Sequence, residues 1–119
     1  MEDVNIYNIK DLKVPIKKEE LDTRIKKDLL SKWKVSNDSK GNDNLTRVFH
    51  FKEYLSGIKF VQQVAEIAER YNHHPDIQIN YKRVTINLWT HSQRAVIAES
   101  TITFADMKLA KEISSIEIP

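Results

Sequence analysis

The sequence contains no cysteine, which excludes disulfide scaffolds, zinc ribbons and thiol nucleophiles and is compatible with a reducing compartment. Charge of one sign is also missing. Nineteen Lys and Arg against 17 Asp and Glu leave a formal +2, so even with a pI near 8.8 no large field exists to hold a phosphate backbone. Direct nucleic-acid binding is not expected. Long apolar runs are absent as well, so there is neither a membrane span nor a signal-peptide core. These absences predict a soluble, untargeted chain without a membrane partner, compatible with a cytoplasmic location. No repeat or low-complexity block interrupts the 119 residues, a length that suits one domain. A domain of this size buries roughly two-thirds of its unfolded surface and needs no metal or disulfide to fold.

What is present is a sequence of changing hydrophobic periods. Met1 to Lys13 show no sustained pattern, so residues 1–14 read as an extension and 15–119 as the domain. Leu21, Ile25 and Leu29 recur every four residues, predicting an amphipathic helix from about Lys17 to Leu30. Trp33 and Val35 suggest a short strand, Ser36 to Asn44 a turn-rich loop, and Leu45 to Phe51 the return strand. From Glu53 to Tyr71 the apolar residues follow period 3.6, with Phe60, Val64 and Ile67 on the covered side. Pro75 disfavours helix at His74, which places a break at Asn72 to Asp76. Ile77 to Tyr81 and Arg83 to His91 alternate as two strands, with Val84, Ile86 and Leu88 inward and Thr85, Asn87, Trp89 and His91 on the other face. A polar stretch follows, and a last helix runs from Thr103 to about Ser115. The predicted fold is α+β: a four-stranded, mainly antiparallel sheet with three helices packed on one face.

Three of the four histidines, His73, His74 and His91, fall in one short region. Imidazole titrates near neutral pH, so such a cluster in a cleft can both give and take protons. The same residues also allow plain surface or core roles. Asp106 three residues after Thr103 resembles a capping box and can satisfy the first turn of the last helix, with or without a role at a site. Trp89 suits either stacking on a flat ligand or covering the open sheet face. Tyr81, beside a turn, reads equally well as structural. Three imidazoles can also describe a zinc centre, but adjacent side chains diverge in an extended segment, so no metal is expected.

The ordered run Glu69-Arg70-Tyr71-Asn72-His73-His74-Pro75, then Tyr81, His91 and Asp106, resembles the signature of the pterin-4a-carbinolamine dehydratases. Further similar text, such as Thr46 to Lys52, Arg83-Val84-Thr85 and Thr90-His91, extends the resemblance from about Ile16 to Ile116. The segment Ser92 to Ile102 is longer than the family's usual short glycine-containing link, and Lys17-Lys18-Glu19-Glu20 replaces an acidic helix start.

The resemblance implies dehydration of 4a-hydroxytetrahydrobiopterin, or a related 4a-hydroxytetrahydropterin, to the quinonoid dihydropterin, without a cofactor. It implies His73 and His91 as the acid/base pair, in either order, and His74 as a pterin binder. Pro75 would fix the direction of the His-His step, Asp106 would lie in the binding region, and Trp89, on the strand face of His91, is placed to join it there. Glu69, one turn before His73, is placed to orient that imidazole. His73 and His91 are both expected to face a cleft with few core contacts. Family members also serve as dimerisation cofactors of a homeodomain transcription factor, and relatives act as assembly chaperones. A homodimer or homotetramer and a protein partner are therefore implied beside the small-molecule substrate.

Overall fold

A computed structural model of the chain describes residues 12–38, 40–90 and 99–118. The elements are β1 (Pro15–Lys17), a 3₁₀ turn (Lys18–Glu20), α1 (Leu21–Lys27), β2 (Lys34–Asn37), β3 (Asp43–His50), α2 (Tyr54–Tyr71), β4 (Asp76–Asn80), β5 (Arg83–Leu88), β6 (Glu99–Thr103) and α3 (Phe104–Ser114). An antiparallel sheet in the order β2-β3-β5-β4 is accompanied by a separate two-stranded pair of β1 and β6. The α+β layout with three helices and a four-stranded sheet is as the periodicity predicts.

Register explains why one side of the sheet is dry. Cross-strand partners share a face, and β3 pairs Leu45 with Leu88 and Phe49 with Val84, while Ile86 faces Ile77 across β4. Leu45, Val84, Ile86 and Leu88 are all fully buried. Against them α2 lays Phe60 and Val64 and α3 lays Met107, Leu109 and Ile113, all buried. Phe60 packs 4.6 Å from Phe49 and 5.2 Å from Phe51 between ring centroids. Trp33, also buried, meets the edge of Phe49 and donates Nε1–H to Ser114 Oγ at 2.8 Å. The opposite face is polar: Ser36 and Thr46 hydroxyls lie 2.7 Å apart, and Thr46 donates to Asn87 at 2.6 Å. Arg47 is the exception on the covered face, where it stacks over Phe49 at 4.3 Å. Burial lowers the pKa of its guanidinium from the usual value.

Three local readings need correction. The first helix is shorter than predicted, because its start is a 3₁₀ turn and its end comes at Lys27. Leu29, expected in the buried row, is 89% exposed with φ of 60°. Leu30, donating its N–H to the Ile25 carbonyl at 2.9 Å, is buried in its place. The polar stretch predicted up to Ile102 contains β6, whose partner β1 lies 82 or more residues earlier. That pairing depends on a long-range contact with no local period, so sequence pattern does not reveal it.

The β2–β3 loop closes as its composition suggests. Asp38 accepts the Lys40 and Asn42 amides at 2.8 and 2.9 Å, and Gly41 takes φ of 82°. The Asn42 side chain and backbone hold the Asp38 carboxyl below its usual pKa.

Candidate functional site

The site is built where two helix caps meet. Helix α2 ends because Asn72 adopts the left-handed conformation at φ 51°. The His73 amide then donates to the Ala68 carbonyl at 3.0 Å and the Asn72 amide to that of Glu69 at 3.2 Å, the paired bonds of a Schellman motif. Pro75 follows, keeping the chain from resuming helix. His73 is thereby fixed at its backbone, and only 6% of it is exposed. This overturns the expectation of a cleft residue with few core contacts.

The other cap belongs to α3. Thr103 and Asp106 form a capping box: Thr103 Oγ1 accepts the Ala105 amide at 3.2 Å and Asp106 Oδ2 accepts the Thr103 amide at 2.9 Å. The carboxylate has a second duty. Its Oδ1 lies 2.6 Å from His73 Nε2, and its Oδ2 also accepts from Thr90 Oγ1 at 2.9 Å. Asp106 is fully buried, so without it the Thr103 amide would be stranded and the His73 ring would lose its partner. Thr90 arrives from the end of β5, its amide bonded to the Thr101 carbonyl of β6 at 2.9 Å. Both readings of Asp106, cap and site contact, therefore describe the same side chain.

Glu69 does not reach His73. Its carboxylate lies 2.7 Å from His74 Nε2, in a pair whose side chains are 53% and 79% exposed. The left-handed residue between them turns His73 inward and leaves His74 beside the helix it follows. An exposed pair of this kind contributes less than about 1 kcal/mol. Glu69→Ala is accordingly expected to leave the urea midpoint nearly unchanged, and a loss above about 1 kcal/mol in denaturation would contradict it.

Trp89 is half-buried and donates Nε1–H to Asp76 Oδ2 at 3.2 Å. The two residues border a depression of about 310 Å³ with Ser36, Asn44 and Asn87. A larger depression of about 760 Å³ lies along α2, lined by Phe51, Lys59, Phe60 and Glu66, and takes in none of the candidate residues. Tyr81 is 69% exposed and stacks on Tyr54 at 6.4 Å. His91 lies outside the described residues, as do 92–98. The partner missed by sequence reasoning is Thr90. Thr90 stood beside His91 in the quoted motif, and Thr103 was already visible as a cap.

His73 and His74 face opposite surroundings, one on a buried carboxylate and the other on an exposed one. Among the described residues no three His, Asp or Glu side chains converge as metal ligands, and no helix is long and apolar enough to cross a membrane.

Comparison with known proteins bears on the family and the fold. A relative from Gloeobacter violaceus, named provisionally as a pterin-4-alpha-carbinolamine dehydratase, is 40% identical over 81 residues, covering 68% of this chain and 85% of its own. One from Sulfolobus acidocaldarius with the same provisional name is 37% identical over 76 residues, 64% of this chain and 77% of its own. The crystal structure of a transcriptional coactivator/pterin dehydratase from Brucella melitensis superimposes with a TM-score of 0.66 at 27% identity, over 86% of this chain and 97% of that one. A pterin dehydratase-like protein described as a RuBisCO assembly factor in the alpha-carboxysome shares the fold at 18% identity, with a TM-score of 0.50 over 71% of this chain and 92% of that one. The family model described as pterin 4 alpha carbinolamine dehydratase matches residues 14–116, and the chain belongs to that family.

Proposed function

We propose that this chain dehydrates 4a-hydroxytetrahydropterins, 4a-hydroxytetrahydrobiopterin among them, to the quinonoid dihydropterin, one step in recycling the cofactor of an aromatic amino-acid hydroxylase. The C4a–O bond breaks as the hydroxyl takes a proton and leaves as water, and a ring nitrogen loses a proton as the C=N bond forms. One acid and one base near neutral pH complete the balance, with no redox partner. His73 and His91 take these roles. His74, steadied by Glu69, binds the pterin, with Pro75 and Trp89 shaping its berth and Asp106 holding His73.

The observation that carries this reading is the His73–Asp106 contact of 2.6 Å in a buried setting. An imidazole anchored through one nitrogen keeps a fixed orientation while the other exchanges protons. The working unit on this reading is a domain of residues 15–119 in a cytoplasmic homodimer or homotetramer, residues 1–14 being an extension. The test is direct: 4a-hydroxypterin is generated enzymatically, the protein is added, and quinonoid product is followed against the spontaneous rate. Acceleration supports the dehydratase. A rate equal to background favours the second reading, a dimerisation or assembly cofactor, cytoplasmic or nuclear, which the likeness to the Brucella melitensis transcriptional coactivator/pterin dehydratase motivates.

A further inference from the structure

The hydroxyls around Asp106 have an order imposed by their two ends. An amide N–H only donates and a carboxylate only accepts, while each threonine hydroxyl has one hydrogen to give. The Ala105 amide donates to Thr103 Oγ1 at 3.2 Å, Thr103 Oγ1 lies 2.7 Å from Thr90 Oγ1, and Thr90 Oγ1 donates to Asp106 Oδ2 at 2.9 Å. With Thr90's hydrogen directed to the carboxylate, the hydrogen between the two hydroxyls belongs to Thr103. The alternative path for it, straight to Asp106 Oδ2, is longer at 3.4 Å. Oδ2 also receives the Thr103 amide at 2.9 Å. Two donors therefore occupy Oδ2, and Oδ1 is the oxygen turned to His73 Nε2.

Because that oxygen only accepts, Nε2 must carry the hydrogen and the basic nitrogen of neutral His73 is Nδ1. We infer that Thr90 is a positioning residue that orients Asp106 and keeps His73 in the Nε2–H tautomer, with Nδ1 as the nitrogen that accepts the substrate's proton. His73 is then the base of the pair and His91 the acid. The assignment of these chemical roles rests on the dehydratase reading; the tautomer does not.

Histidine-selective ¹⁵N labelling of the full chain, with His73→Gln to assign its signals, reads the ring state without substrate. The expected spectrum shows His73 protonated at Nε2 and bare at Nδ1. In Thr90→Val, Oδ2 keeps only the Thr103 amide, Asp106 is free to turn from Nε2, and the ring is expected to populate both tautomers, with turnover lowered about tenfold and KM changed less than about twofold. Thr90→Ser, which retains the hydroxyl, is expected to restore ring signals and rate. A wild-type ring protonated at Nδ1 overturns the inference, as does a folded Thr90→Val protein with wild-type ring signals, whatever its rate. If the valine variant does not fold, the smaller Thr90→Ala, which also lacks the hydroxyl, is read in its place and wild-type ring signals in it overturn the inference, as does a Thr90→Ser ring in mixed tautomers. Absence of dehydration alongside the expected spectra removes the substrate assignment and leaves the positioning role standing.

Discussion

Asp106→Ala is expected to lower the unfolding free energy by about 3–5 kcal/mol, the range for breaking a buried charged contact. The residue is fully buried, and three donors meet it: His73 Nε2, Thr90 Oγ1 and the Thr103 amide. Each stranded donor costs about 1–3 kcal/mol, with less than full additivity because all three share one partner. The capping contact alone is worth about 1 kcal/mol. Domains of this kind hold only about 5–15 kcal/mol in total, so the variant is expected to unfold at markedly lower urea. Asp106→Asn keeps the volume and one acceptor oxygen, but its NH₂ must face either His73 Nε2–H or the threonine donors. It is expected to be more stable than the alanine variant yet to leave His73 without a fixed tautomer. Equilibrium urea denaturation of both proteins measures this, and a loss below about 1 kcal/mol in Asp106→Ala would mean that the buried network does not hold the two caps together.

His73→Ala is expected to reduce turnover by about 10²-fold while changing pterin affinity less, since it removes one of two proton transfers. His91→Ala is expected to act similarly, and His74→Ala to weaken binding more than turnover. The spontaneous reaction sets a floor, so the His73→Ala/His91→Ala protein should approach background rather than the product of the single losses. Burial of His73 adds a consequence that exposure would not. Removing its ring leaves Asp106 Oδ1 without this donor and opens a void, at a cost of about 1–3 kcal/mol. Rates therefore need to be compared at a temperature where both proteins are folded, as circular dichroism would verify. A folded double variant with near-normal turnover would remove both histidines from the mechanism.

Much of the fold was legible because its elements announce themselves locally. Phe60, Val64 and Ile67 mark the covered side of α2 at helical spacing, and Val84, Ile86 and Leu88 mark that of β5 at period two. Burial of one face forces these periods on any sequence that packs a helix against a sheet. The first helix was less legible: a leucine on either side of a turn fits an apolar row, and only the left-handed backbone at Leu29 decides that Leu30 goes inward. The pairing of β1 with β6 was not legible at all, since Pro15–Lys17 carries too few residues to show a period.

By itself the sequence determined the residue types, their order and, through the match over residues 14–116, the family they belong to. It also carried the capping box, because a cap is a contact between residues three apart. Only the tertiary structure decided which carboxylate serves which histidine. Proximity in sequence favoured Glu69 for His73, yet the left-handed Asn72 sends His73 inward to Asp106, 33 residues away, and leaves Glu69 to His74. Side-chain partners across such a separation are set by where two helix ends dock on a shared core, a property of packing that no local period encodes.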